Sequence, residues 1–229
     1  MDSIFSMWNQ YGHLFLQGAL TTLLLSITSS LFAMIFGSLF ALMRLSEIKP
    51  LRWIANVYVE FIRGTPLMVQ IALVFYGLPY LGIHIPEISL FGMDFERLVS
   101  GTLALTINSS AYVCEIVRGG INSIDKGQME ASRSLGFNKT SSMMLVVMPQ
   151  AFKNILPSLG NEFISMIKNS SQVSVIGIAE LMYTSDTIRG ISFKPFEPLV
   201  IISIIYFLMT FVISLVLRAI EKSMAKSTR

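Results

Sequence analysis

The chain has 229 residues, of which 53% are apolar and 14% charged, with 16 Phe, 14 Met and a net charge of +3. A soluble domain does not carry that balance; the small positive excess argues against a nucleic-acid partner, and a single cysteine, Cys114, excludes an internal disulfide. No Cys/His cluster has metal-ligand spacing, and a mean hydropathy of +0.64 points to a single membrane domain over 1–229 with room for about four to six spans.

Met1–Gly12 carries an acid, Asp2, and no Lys or Arg, and the apolar run behind it is too long for a signal-peptide core. It reads as the start of a retained first span. Leu14–Met43 has no formal charge; a helix crosses the hydrocarbon with about 20 apolar residues, and in lipid only a helix or closed barrel satisfies its own backbone. Span one is therefore predicted at about 12–45, long enough to tilt or project past the headgroups. Span two is predicted at about 53–83, strongest from Gly64 to Ile83, with an amphipathic lead-in, Trp53–Arg63, extending its cytoplasmic end. Span three is expected at about 98–118, span four within 156–182, and span five at about 196–220 around the charge-free run Pro198–Leu217.

Lys and Arg concentrate on the cytoplasmic side of short connections. Arg44, Lys49 and Arg52 stand against Glu47 between spans one and two, whereas Glu87, Asp94 and Glu96 outnumber Arg97 between two and three. Arg118, Lys126, Arg133, Lys139 and Lys153 follow span three, and Arg218, Lys222, Lys226 and Arg229 follow span five. The N-terminus is predicted outside and the C-terminus inside, with five spans as the odd number this requires.

Residues 119–152 are too polar to cross and too apolar to be a linker. Asp125 can cap a helix whose third position, Gln128, completes an Asp-x-x-Gln box, and Gly136 supplies a left-handed C-terminal cap. The expected helix, Lys126–Leu135, has an acid and two small residues at its centre, Glu130-Ala131-Ser132, with Met129 and Leu135 as apolar knobs. Short helices of this kind seat in grooves of partner proteins; the alternative is a solvated turn without a role.

Glu130-Ala131-Ser132, three residues, Gly136, nine residues, Val146, one residue and Met148-Pro149 resemble the EAA loop of the membrane subunits of bacterial ATP-binding-cassette (ABC) importers, whose pattern is Glu-Ala-Ala-x3-Gly-x9-Ile-x-Leu-Pro. Ser132, Val146 and Met148 depart from it conservatively. Arg63-Gly64-Thr65-Pro66-Leu67, Asn108-Ser109-Ser110-Ala111-Tyr112, Glu115–Ile121 and Val173–Gly177 resemble the polar amino-acid branch, which includes glutamine, histidine, arginine and cystine importers. The resemblance implies an all-α, type I importer-like fold of five transmembrane helices, with the coupling-helix loop between spans three and four. It implies a bacterial cytoplasmic (inner) membrane location, a second membrane subunit, identical or paralogous, a dimeric ATPase holding ATP and Mg, and an external amino-acid-binding protein. Coupling would fall on Glu130, Ala131, Ser132 and Gly136. Independently, no Gly-x4-Gly-Lys-Ser/Thr loop occurs, so this chain cannot bind ATP by that device.

Ionisable and amide groups at membrane depth are costly and default to functional hypotheses. Asn108, Tyr112 and Glu115 fall at i, i+4 and i+7 of span three, and with Ser109 they make a polar lining suited to a zwitterion. Interhelical hydrogen bonding is the competing account. Lys168-Asn169-Ser170-Ser171-Gln172 interrupts the fourth apolar stretch. By resemblance, span four borders the substrate path, and arginine-type relatives place an acid in this cluster; Asn169 stands there instead. The expectation is a substrate facing Asn169 and Ser170, neutral rather than cationic, with helix packing as the alternative. Glu60 with Arg63 and Glu115 with Arg118 are i, i+3 pairs explained by ion pairing.

An ion-gradient-driven secondary carrier is the alternative function, but it calls for inverted repeats and broken helices. A channel calls for a filter or charge ring, and an enzyme for a nucleophile with a base, paired carboxylates or metal ligands. None is evident, so no catalytic residue and no metal ligand are assigned.

Overall fold

Forty-four residues, Asp2–Leu45, form one helix, α1, about 66 Å long at 1.5 Å per residue. In this computed structural model, which describes residues 2–86, 88–90 and 93–226, there follow α2 (Lys49–Arg63), α3 (Leu67–Tyr80), two-residue strands β1 (Ser89–Leu90) and β2 (Met93–Asp94), and α4 (Phe95–Asn122). Then come α5 (Lys126–Ser134), α6 (Lys139–Ser142), a π turn (Met143–Val147), α7 (Met148–Asn169), 3-10 turns (Ser170–Ile176), α8 (Leu181–Ser192) and α9 (Glu197–Lys226). Met1, at the start of the expected first span, and Glu87 and Arg229, used above in reading orientation, lie outside the described residues. β1 and β2 pair antiparallel, Ser89 opposite Asp94.

The inward face of α1 is a seam of small residues at three- and four-residue spacing: Thr22, Ser26, Ser29, Ala33, Gly37 and Ala41, all buried. Its outward face carries Leu20, Leu24, Ile27, Leu31 and Ile35 exposed. Lipid tails are as apolar as leucine, so helices associate in a bilayer through close packing rather than through hydrophobic residues alone, and small residues permit the closest approach. A Cβ on Gly37 would stand 2.7 Å from the Ser110 carbonyl oxygen of α4 and 2.6 Å from Val113 Cβ. Alanine there gains about 1 kcal/mol of helix propensity but meets an overpacking cost of about 1–3 kcal/mol. Gly37→Ala is expected to lower the thermal transition in detergent; an unchanged or raised transition would mean the two helices part without cost.

Helix α4 is packed by α1, α2, α3 and α7 and buries residues along its length, from Ser100 and Gly101 to Cys114 and Ile121. Among the described residues, Ser3–Leu45 and Glu197–Met224 are long and apolar enough to cross a bilayer alone. α4 and α7 span about 42 and 33 Å by length, and α4 buries Ser100, Thr106, Asn108, Ser109 and Ser110 in the protein interior.

Two expected spans are drawn differently. The lead-in Trp53–Arg63 is not collinear with the rest of the expected second span: α2 and α3 meet at 109°. Pro66 lacks an N–H and disfavours helical backbone at Thr65, and Gly64 closes α2 by donating to the Glu60 carbonyl at 2.9 Å. The Gln70 amide then fills the corner, donating to the Ile62 carbonyl at 2.7 Å and to Thr65 Oγ1 at 2.8 Å. The fourth segment, expected within 156–182, is helical from Met148 and ends at Asn169. Ser170 and Ser171 donate to the carbonyls three residues back, at 2.8 and 2.7 Å, the local bonding that competes with α-helix. Gly177 closes these 3-10 turns at φ 80°. The π turn before α7 falls where Pro149 has no N–H for the preceding turn.

Candidate functional site

Helix α5 begins as the sequence predicts, Asp125 Oδ1 accepting from Gly127 N at 2.7 Å, but the box is not completed. Gln128 Oε1 accepts from Gln150 Nε2 of α7 at 3.2 Å, which ties α5 to the membrane helix behind it. Gly136 takes φ 93°, and Phe137 N donates to the Ser132 carbonyl at 3.3 Å, the hydrogen bond of a left-handed C-terminal cap. Glu130, Ala131 and Gly136 are exposed. Ser132 is buried, its hydroxyl donating to the Met129 carbonyl at 2.9 Å. Of the two apolar knobs only Leu135 faces outward, 80% exposed; Met129 packs on Ile121, Val147, Ala151 and Ile155. The loop thus has an inner face fixed to α4 and α7 and an outer face of acid, small residues and one large apolar side chain.

A second attachment joins this loop to the start of α2. Lys139 bonds Glu47, and the donated hydrogen bond holds the Glu47 carboxyl below the usual carboxylate range. Because that value is depressed, the contact is present at neutral pH and is lost as pH falls through it. Both groups are exposed, so salt weakens it.

The expected lining residues do not converge on one point. Asn108 is buried and turned to α3, its Nδ2 donating to Gln70 Oε1 at 2.9 Å. Ser109 is turned to α7, donating to Glu162 Oε1 at 2.7 Å. Ser109 and Glu162 border a small cavity of about 80 Å³ with Ser30, Met34 and Phe163. Tyr112 is half-exposed beneath the Arg63 guanidinium, 5.6 Å from its ring centre. Asn169 is half-buried at the end of α7, seven residues from Glu162 and so on the same helix face about 10 Å away. Ser170 is buried and bonded to its own helix.

A model of the family described as "binding-protein-dependent transport system inner membrane component" matches residues 33–226. The chain belongs to this family. It is 35% identical over 214 residues to a probable glutamine ABC transporter permease protein of Bacillus subtilis (strain 168), covering 93% of this chain and 94% of that protein. An arginine transport system permease protein of the same organism is 36% identical, with 91% of each chain covered. Among solved structures, an amino acid ABC transporter with histidines shares 45% identity at a TM-score of 0.87, over 96% of this chain and 98% of that one. The MetNI methionine ABC transporter, in an inward-facing conformation, matches in fold at 19% identity and a TM-score of 0.69, over 92% and 97%. These relatives are ABC permeases, which removes the secondary-carrier alternative.

Three side chains of the permease that sequence reading passed over organise its interior. Gln70 holds the α2–α3 corner, and Glu162 faces Ser109 from inside α7; an acid within a candidate span is the signal that marks Glu162. Glu180 is fully buried and caps α8, accepting from Met182 N at 2.9 Å, Tyr183 N at 2.8 Å and the Tyr206 hydroxyl at 2.9 Å. Those three donors explain how a carboxyl group is tolerated there. The expected Glu60–Arg63 pair does not form. Arg63 instead stands 3.5 Å from Glu115, which also binds Arg44 and, at 2.7 Å, Arg118.

Proposed function

We propose that this permease is the membrane subunit of an ATP-driven importer of polar amino acids, forming the translocation path by alternating access. The observation that carries the reading is the exposed outer face of α5, Glu130, Ala131 and Leu135, ended by left-handed Gly136 in the spacing of an EAA loop. This face seats on an ATPase dimer, which holds ATP and Mg and whose closure is transmitted through the Gln128–Gln150 and Met129 contacts to α4 and α7. A second membrane subunit, identical or paralogous, completes the path, and an external binding protein delivers the cargo. The orientation, N-terminus outside the bacterial inner membrane, is supported by the gathering of Arg44, Arg63, Arg118 and Lys139 at one end of the helices.

Ser109, Glu162 and Asn169 are the groups of this chain assigned to the cargo. Glu162 supplies an acceptor for an α-ammonium group, and Asn169, on the same face of α7, meets the cargo side chain with both a donor and an acceptor. A neutral amide cargo suits that pair better than a guanidinium, for which an acid would be required at Asn169. Relatives named for glutamine and for arginine are equally similar to this chain, so the residue itself has to be tested. Asn169→Asp is expected to shift uptake from glutamine toward arginine by roughly 10-fold, the scale of one charge-assisted hydrogen bond; an unchanged preference would remove Asn169 from the specificity determinants.

The function as a whole is tested by the ATPase activity of the subunit reconstituted in lipid with its co-purifying ATPase while amino acids are presented on binding protein. Stimulation by one or a few polar amino acids is expected. A preparation that brings down no ATPase would overturn the assignment.

A further inference from the structure

The 109° corner puts α2 across the direction of the helix that follows it, and its side chains divide into three sectors. At 100° per residue, Ala55, Val59 and Ile62 form the buried sector against the bundle. Trp53, Ile54, Val57 and Phe61 form an apolar strip on the opposite side of the helix, all exposed. Lys49, Arg52, Asn56, Glu60 and Arg63, spaced three and four apart, form the remaining stripe, which is polar and mostly basic. An exposed apolar strip beside a basic stripe, on a short helix turned away from the span, is the pattern of a helix lying in the headgroup plane.

The basic stripe ends in an unbalanced cluster. Glu115 receives Arg44 and Arg118 and stands 3.5 Å from Arg63, so one carboxylate faces three guanidinium groups. Arg44 is 13% exposed and committed to the pair, whereas Arg63 is 42% exposed. Lys49 and Arg52 form no ion pair among the described residues. The surplus positive charge therefore sits at the rim of an apolar strip that includes Trp53 and Phe61. A soluble acidic partner would satisfy the charge and leave the strip in water. A phospholipid satisfies both, its phosphate on the guanidinium groups and its acyl chains against the strip.

We propose that α2 lies in the cytoplasmic headgroup layer and that Arg52 and Arg63 bind the phosphate of an anionic phospholipid. The inference rests on the orientation adopted above, and its test does not use transport. Trp8 and Trp53 are the two tryptophans, so a Trp8→Phe background leaves Trp53 as the reporter. This protein is reconstituted in phosphatidylcholine containing 30% of either brominated phosphatidylglycerol or brominated phosphatidylcholine, and Trp53 quenching is compared. The brominated anionic lipid is expected to quench with a relative binding constant about 5-fold higher, the contribution of one surface arginine, and Arg52→Gln with Arg63→Gln is expected to bring the ratio to about one. Arg52→Gln alone, which breaks no ion pair, is expected to lower it partway and guards against a folding defect of the double variant. Equal quenching by both lipids, or undiminished selectivity in both variants, overturns the proposal. Loss of selectivity on adding 10 mM inorganic phosphate at constant ionic strength assigns the cluster to a soluble anion and overturns the lipid. Loss of selectivity when the ATPase partner is added identifies an acidic protein surface as the occupant and does the same.

Discussion

Gly136→Pro is expected to leave the subunit inserted in the membrane while lowering substrate-stimulated ATPase activity of the assembled importer by roughly 5- to 150-fold, the range of a typical coupling free energy. Gly136 has φ 93°, whereas a proline ring holds φ near about −65°. Proline also removes the N–H that Gly136 donates to the Arg133 carbonyl at 3.0 Å. The C-terminal cap of α5 is then lost, and with it the placement of Leu135 and the Phe137–Ser132 bond. The buried clusters between α1, α4 and α9 are not touched by residue 136, so expression and detergent extraction are expected to be unchanged. Gly136→Asn is the control, since asparagine tolerates the left-handed region better than other side chains, and it should retain most of the coupling. Glu130→Lys tests the same face without touching the backbone: Glu130 is exposed, so reversal of its charge affects the partner and not the fold. Normal stimulated activity in both Gly136→Pro and Glu130→Lys would refute the docking role.

Glu115→Gln is expected to have the largest effect on stability. The carboxylate joins α1 through Arg44, the α2–α3 corner through Arg63, and its own helix through Arg118. Removing one member of a buried pair costs about 3–5 kcal/mol, because the remaining charge is left desolvated. Here Arg44 is 13% and Glu115 20% exposed, which places the loss near the lower end, about 3 kcal/mol. At roughly 2–4 °C per kcal/mol for a chain of this size, the thermal transition in detergent should fall by on the order of 10 °C. Arg44→Met in the same chain should restore part of it, since the double change leaves no uncompensated charge on α1. A double variant as unstable as Glu115→Gln alone would mean that the pair is not what holds α1 to α4 at this end.

The helix α5 was legible because its signals are local. An Asp cap and a left-handed glycine act within one or two turns of backbone, and Lys126–Ser134 with Gly136 at φ 93° agrees with them to within a residue. The corner at Gly64–Pro66 is equally present in the sequence, yet an amphipathic lead-in that runs straight into an apolar stretch reads as one span. The fourth segment differs most from its hydropathy because α7 carries polar groups on its length, with Glu162 bonded inward to Ser109. Hydropathy measures what faces lipid, and a helix enclosed by neighbours is under no pressure to be apolar on every side.

Charge-free runs of the length that a bilayer requires are enough to make the chain a helical membrane protein, because each acts along one stretch of backbone. Which polar side chain meets which depends on how the helices pack. Asn108 bonds Gln70, 38 residues away, and Ser109 bonds Glu162, 53 residues away, although the two stand side by side on α4. Periodicity assigns a residue to a helix face, but the neighbour that occupies that face is chosen by close packing of small residues such as Gly37 against Ser110 and Val113. That choice depends on the whole bundle, because every helix end left unpaired would cost an unsatisfied polar group in a medium that offers no water to replace it.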